Sequence, residues 1–386
     1  MRKGWEYKKL GEICSSDLGK TLNKSKDVGN MRPYLCAINI LWDSIDLTTL
    51  KEACFKDDEI DRYTVKYGDL LVCEGGDTGR AAIWDRKEPI LYQNALHRLR
   101  FKEDVDARFI MYNLWHKKQI GEIDHKYSKG VTILHLVKSA LLSIPILLPP
   151  LSTQLAIVSE LDKINELIRL KKEQLKDFDN LAQSLFYEMF GDPVENEKGW
   201  EVKKLGEIAK SAIGLTYKPE NVTKELSGTI VLRSSNIQNS ILDFNNIVRV
   251  NVPVKEDKMV NDGDILMCSR NGSFRLVGKV ALIKNLKKRM SYGAFMTIIR
   301  SQYNPYLFEY FKTPAFRQYL ITGKTTTVNQ ITVKMLNNLT LPLPPLSHQH
   351  LFSQRIEQIE REKSEVQKSI QDLETLLASR MQYWFE

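Results

Sequence analysis

The sequence is short of the residues that covalent or metal staples need. Its 386 residues include five cysteines (Cys14, Cys36, Cys54, Cys73, Cys268), scattered and without a CxxC pair. That excludes a disulfide framework and a zinc ribbon, and is expected of reduced thiols. The six histidines (His97, His116, His125, His135, His348, His350) show no HExxH or other ligand spacing. No apolar run reaches bilayer length, because the longest, around ALLSIPILLPPL, is broken by prolines. The opening MRKGWEYKKL has no apolar segment of the signal-peptide kind, so a cytoplasmic protein is expected.

Catalytic signatures are missing as well. LGKT at Leu18 and TGKT at Thr322 end like a phosphate loop, but Cys14 and Gln318 stand where its upstream glycine belongs. NPYL at Asn304 has part of the Asn-Pro-Pro-aromatic motif that grips a flipped adenine, without the second proline or a cofactor loop. The Glu-x-Lys of GWExKK lacks an upstream acidic partner and reads as a surface strand or entry turn. No nucleophile elbow or acid/base pair is present, and no catalysis by this chain is expected.

What is there is ordinary globular composition, 42% hydrophobic and 27% charged, with net charge +8 and pI near 9.0. That length gives two or three domains with real cores, and the basic balance admits a polyanionic partner. The dominant feature is repetition. GWEYKKLGEI at Gly4 returns as GWEVKKLGEI at Gly199, nine of ten positions alike. GDLLVC at Gly68 returns as GDILMC at Gly263, and PPLSTQ at Pro149 as PPLSHQ at Pro344, each 195 positions on. Between them GRAAI at Gly79 matches GKVAL at Gly278, an offset of 199. Two copies are too few for a solenoid, so the chain is a duplicated domain.

Each copy opens by mixing short β-rich runs with helical ones; in copy one the runs are DLLVC, AAIW and ALHRLRF and the helical stretch is ARFIMYNLWHKKQIGEI. Each then passes through IPILLPP or LTLPLPP into a long helix, about 153–190 and 349–385. In the first helix Leu161, Ile164, Ile168, Lys171, Leu175, Phe178, Ala182 and Leu185 fall at heptad spacing. Adding 195 gives Ile356, Ile359, Lys363, Val366, Ile370, Leu373, Leu377 and Arg380. All but Lys171 in the first set, and all but Lys363 and Arg380 in the second, are apolar. This stripe, without internal Gly or Pro, is a coiled-coil signal. About 35 such residues make a rod of about 50 Å.

The expected fold is therefore α/β (α+β), with two similar domains separated by two long antiparallel coiled-coil helices and related by a pseudo-two-fold internal repeat. The expected segments are domain 1 over 1–150, helix 1 over 151–190, a linker over 191–198, domain 2 over 199–345 and helix 2 over 346–386. Candidate interface residues on the helices are Leu161, Ile164, Ile168, Leu175 and Phe178, with Ile356, Ile359, Val366, Ile370 and Leu373.

Polar and basic loops occupy matching places in both copies. EGGDTGR follows the first GD strand, offering Asp77, Thr78 and Arg80; SRNGSFRLVGK follows the second, offering Arg270, Asn271, Ser273, Arg275 and Lys279. Gly permits close backbone approach to a phosphate, and Arg and Asn can pair with base edges. Here the offset jumps from 195 to 199, as two different recognition surfaces would require; a solvated hairpin free to drift is the plainer alternative. A second cluster offers Lys126, Lys129 and Thr132, matched by Lys324, Thr326, Asn329 and Gln330. KNLKKR at Lys284 adds a basic patch in copy two only.

The ordered set of motifs resembles the DNA-specificity subunit of type I restriction–modification enzymes over essentially the whole chain. The resemblance rests on GWExKKLGEI twice, GDLLVC/GDILMC, LPPLSxQ before a heptad helix, and LRSSNI at Leu232. Copy one departs with LCAINI, where Cys36 stands in place of Arg233. The resemblance implies two target recognition domains, each reading half of a split double-stranded DNA target, with Arg233 among the contacts. It implies that the helices set the spacing and dock two methyltransferase subunits, to which restriction–translocation subunits attach. It also implies that S-adenosylmethionine, ATP and magnesium belong to those partners, with no cofactor held here. Two other readings stay open on residues alone: a coiled-coil adaptor that binds only proteins, and a concealed nuclease.

Overall fold

The computed structural model describes residues 4–23, 28–130, 134–322 and 329–386. The chain forms two compact units, Met1–Lys172 with Gln367–Glu386, and Glu173–Val366. The division runs through both long helices, so each unit holds one β-rich domain and part of each helix. The expected segment ends at 150 and 345 mark changes of secondary structure; the packing units follow a different cut.

Unit one contains a four-stranded antiparallel sheet in the order Cys14–Leu18, Leu96–Phe101, Leu70–Cys73, Ala81–Ile83. Unit two repeats it as Lys210–Ile213, Met296–Arg300, Ile265–Cys268, Val280–Leu282. The strands expected at DLLVC, AAIW and ALHRLRF all lie in this sheet. A second sheet in each unit sets Asn30–Leu35 parallel to Ile90–Tyr92, and Thr229–Leu232 parallel to Met290–Tyr292. Strands Leu70–Cys73 and Ile265–Cys268 are wholly buried, which is why both read as unbroken apolar runs.

The repeated opening decapeptide has a structural reason. Glu6–Lys9 pairs antiparallel with Pro145–Leu148, and Glu201–Lys204 with Thr340–Leu343. Each copy thus ties its first strand to its last, immediately before the long helix.

The expected helix over ARFIMYNLWHKKQIGEI forms over Ala107–Gln119, capped where Asp106 accepts the Phe109 N–H at 2.9 Å. It stops short because Gly121 takes φ +76°. In unit two Pro314 starts a new helix, giving Asn304–Tyr310 and Pro314–Thr322. A proline is accepted in a first helical turn but not in a helix interior.

The long helices run Leu151–Phe190 and Leu346–Phe385. Inside unit one, Glu160 binds Arg380 and accepts the Trp384 Nε1–H at 3.1 Å, while Lys172 meets Glu374 at 2.8 Å. Inside unit two, Lys363 meets Asp179 at 2.8 Å, and Phe352 lies edge-on to Phe186 and Phe190. As one helix advances the other retreats, so the pairing is antiparallel in each unit. Leu161, Ile164, Ile168, Ile359, Val366 and Ile370 are buried; Leu175, Phe178, Ile356 and Leu373 are half-buried. The polar interruptions are ion-paired. Burial alone would lower the Lys363 pKa, but Asp179 and Glu360 outweigh it and hold the ammonium charged.

Candidate nucleic-acid interface

Three segments that are distant in sequence meet in each unit. In unit one they are the turn Cys36–Asn39, the loop after Leu70–Cys73, and residues 128–130 with 134–136. Arg80 Nη2 donates to the Ala37 carbonyl at 2.9 Å, Gly75 bridges His135, and Leu136 N–H donates to the Glu74 carbonyl at 2.7 Å. In unit two they are Arg233–Asn236, the loop after Ile265–Cys268, and the strip from Asn329. Asn271 Nδ2 donates to Ser234 Oγ at 3.2 Å, Asn329 Nδ2 to the Gly272 carbonyl at 2.9 Å, and Ile331 N–H to the Ser269 carbonyl at 2.7 Å. Arg270 bridges Gln330.

One glycine closes each loop in the same way. Gly79 (φ +83°) and Gly278 (φ +88°) donate their N–H to Cys73 and Cys268 carbonyls. A Cβ there would lie 2.7 Å from Ile123 Cδ1 and 2.6 Å from Leu320 Cδ1 respectively. Both conformation and space demand glycine, and the 199-residue offset aligns true equivalents.

Asp77, Lys126, Lys129, Arg270, Ser273 and Arg275 are exposed; Arg80, Arg233, Asn271, Lys279, Asn329 and Gln330 are half-buried. Thr132, Lys324 and Thr326 lie outside the described residues. Thr78 is turned inward: fully buried, it donates to Asp124 at 2.9 Å and accepts from Ser128 at 3.1 Å. The sequence shows a polar loop residue, yet the loop folds its hydroxyl onto Asp124. Arg233 Nη2 donates to Asn246 Oδ1 at 3.1 Å. Cys36 occupies the equivalent place, each preceding a short helical turn and each donating its N–H to a buried Asn at 2.9 Å.

Those asparagines escaped sequence reading. Asn39 and Asn236 are fully buried and span their turns, Asn236 donating to the Asp243 and Asn246 carbonyls at 2.9 and 3.1 Å. Asp69 and Asp264, the acids of the GD motifs, were likewise missed as ligands. Each takes two 2.7 Å bonds from one arginine, Arg100 or Arg300, and a third from a backbone N–H at 2.8 Å. The only sequence signal was their exact recurrence. Phe295 was also missed; it is 58% exposed, with the Arg270 guanidinium 5.2 Å from its ring centre.

Among the described residues no cluster of His, Cys, Asp and Glu could hold a metal ion. All five thiols are free, and burial pushes Cys14 up to about 12 and Cys73 to about 11.

The sequence profile of the type I restriction modification DNA specificity domain matches this chain twice, over residues 2–177 and 197–375. The chain belongs to this family. Specificity subunits are also its relatives in sequence. It is 24% identical over 411 residues to a putative type I restriction enzyme MjaX specificity subunit of Methanocaldococcus jannaschii, covering 97% of this chain and 92% of that one. It is 26% identical over 168 residues to the EcoKI specificity subunit of Escherichia coli, covering 42% and 36%. In fold it is similar to a chain solved in work on complex assembly and conformational transition of the type I R-M system, with TM-score 0.62, 19% identity and 99% and 97% coverage. It is also similar to the S subunit from M. genitalium, with TM-score 0.53, 14% identity and 99% and 96% coverage. This specificity subunit is thus a DNA-recognition component of a type I restriction–modification system, and no described helix is long and apolar enough to cross a membrane.

Proposed function

We propose that each unit reads one half of a bipartite, asymmetric double-stranded DNA target. The carrying observation is that both units bring the same three segments together on the same sheet, while the segments differ in length and residues. Loop two has four more residues than loop one and carries Arg270, Asn271 and Ser273 where loop one has Asp77, and the neighbouring turn sets Phe295 beside loop two where Ala95 lies beside loop one. A common scaffold with unlike surfaces reads unlike half-sites. Exposed Arg270 and Ser273 contact base edges or phosphates, and the Phe295 ring offers an apolar contact for a base. Arg80, Arg233 and Thr78 hold the loops in shape.

The paired helices dock two methyltransferase subunits, to which the restriction–translocation subunits attach, and they set the distance between half-sites. The chain itself does no chemistry; S-adenosylmethionine, ATP and magnesium are handled by those partners in the cytoplasm. Membership of a DNA-specificity family weighs against an adaptor that binds proteins alone. Fluorescence anisotropy on the chain with its methyltransferase subunits tests the reading. It expects binding to a methylated-target duplex that falls steeply with salt, at a log–log slope of roughly −0.9 per phosphate neutralised. Binding to no duplex, or binding indifferent to salt, would refute it.

A further inference from the structure

Unit two contains a cavity of about 600 Å³ beside its reading loop. Its floor is apolar, built from Val277, Phe311, Phe316 and Leu320, and four cations line it: Arg275, Lys279, Lys312 and Arg317. No carboxylate is among the lining residues. Arg317 is fixed by the Val277 and Phe274 carbonyls at 2.8 and 3.0 Å and by the Phe274 ring at 4.5 Å. Lys312 is offset by Glu309 at 2.7 Å. Arg275 and Lys279 have no acidic partner among the described residues.

The other copy is an internal control. Ile123 lies over Gly79 as Leu320 lies over Gly278, which marks the equivalent place. There the cations are neutralised: Lys118 by Asp77 at 2.9 Å and Asp124 at 2.7 Å, and Lys117 by Glu122 at 3.0 Å. The carboxylates outweigh burial and hold Lys118 above the usual lysine range. The excess charge of unit two enters with the lengthened loop, since Arg275 lies in that stretch. Such a basic cavity attracts an anion, and Arg275 and Lys279 continue directly from Arg270–Ser273, the proposed reading loop.

We propose that this cavity grips the phosphate backbone of the duplex flanking the half-site read by unit two, and that unit one has no counterpart. The cations take phosphate oxygens and the apolar floor lies under the sugar. The two ends of the target then contribute unequally to sequence-independent affinity. This inference rests on the recognition reading above.

The test uses the full chain assembled with its methyltransferase subunits, and the doubly substituted Arg275→Gln, Lys279→Gln chain. Both are titrated onto target duplexes carrying neutral methylphosphonates beside one half-site or the other. Neutral linkages beside the second half-site should weaken the unsubstituted complex, those beside the first much less, and the substituted complex should be indifferent to both. Losing two phosphate contacts should flatten the salt slope by roughly 1.8, so that the affinity gap shrinks about tenfold between 0.05 and 0.2 M salt. Equal sensitivity at both ends, or an unchanged slope, overturns the inference while specific binding leaves the recognition reading standing. Loss of methyltransferase association with an unchanged slope also overturns it, assigning the cavity to an acidic segment of that partner. Absence of specific binding by the unsubstituted complex would instead overturn the recognition reading itself.

Discussion

Asn236→Asp changes one atom and removes both donors that Asn236 supplies. The acceptor to Arg233 N–H survives, but the Asp243 and Asn246 carbonyls, bonded at 2.9 and 3.1 Å, lose their partner. An orphaned buried polar group costs about 1–3 kcal/mol, and a carboxylate facing two carbonyls is driven to protonate, which restores one bond. The net local cost is about 2–4 kcal/mol, or roughly 30- to 1000-fold in the opening of residues 234–246. Asn39→Asp should do less. One of its two bonds goes to Thr49 Oγ1, and that hydroxyl also meets Asp46, so only the Asp46 carbonyl is orphaned. Hydrogen exchange resolved by segment is the assay: Asn236→Asp should loosen 234–246 and weaken DNA binding through the half-site read by unit two. Asn39→Asp should loosen 36–49 more modestly and act on the other half-site. Unchanged protection over 234–246, or loosening confined to 36–49 in both variants, would refute the reasoning.

Three further outcomes are expected. Gly278→Ala should cost about 2–4 kcal/mol, combining a left-handed backbone with a 2.6 Å approach to Leu320, and should lower the melting of unit two as followed by Trp200, its only tryptophan. Burial holds His97 and His116 below the ordinary histidine value. Unfolding therefore lets them take up protons below about pH 6.5, and unit one alone should lose stability as pH falls from about 6.5 toward 5.5. Denaturation curves in which both units weaken equally, or in which His97→Gln fails to flatten the dependence, would contradict this. Four residues inserted into each long helix add about 6 Å, close to two base pairs at about 3.4 Å each, so the methylated target should keep its half-sites and gain spacer. An unaltered spacer would remove the helices as the ruler.

The helices were legible because a heptad stripe is a local signal, and even Lys363 and Arg380, which break it, sit at the seam against Asp179 and Glu160. The duplication was legible because GWExKKLGEI and GD recur, although their roles emerge only from pairing 6–9 with 145–148 and Asp69 with Arg100. Glycine and charge pointed to loops that the fold brings together, whereas the direction of each side chain carried no local signal. Thr78 bonds to Asp124 and Arg80 to the Ala37 carbonyl, partners that lie far along the chain. Asn39, Asn236 and Phe295 gave no local signal because their partners come from other segments. Pro314 breaks in copy two the helix that is continuous in copy one.

Methylation-aware sequencing of host DNA most directly tests whether the two units read separate halves. Residues 1–150 are exchanged for those of another specificity subunit and the modified sites are compared. One half of the methylated sequence should change while the other half stays as it was. A target unchanged throughout, or altered in both halves, would contradict the account.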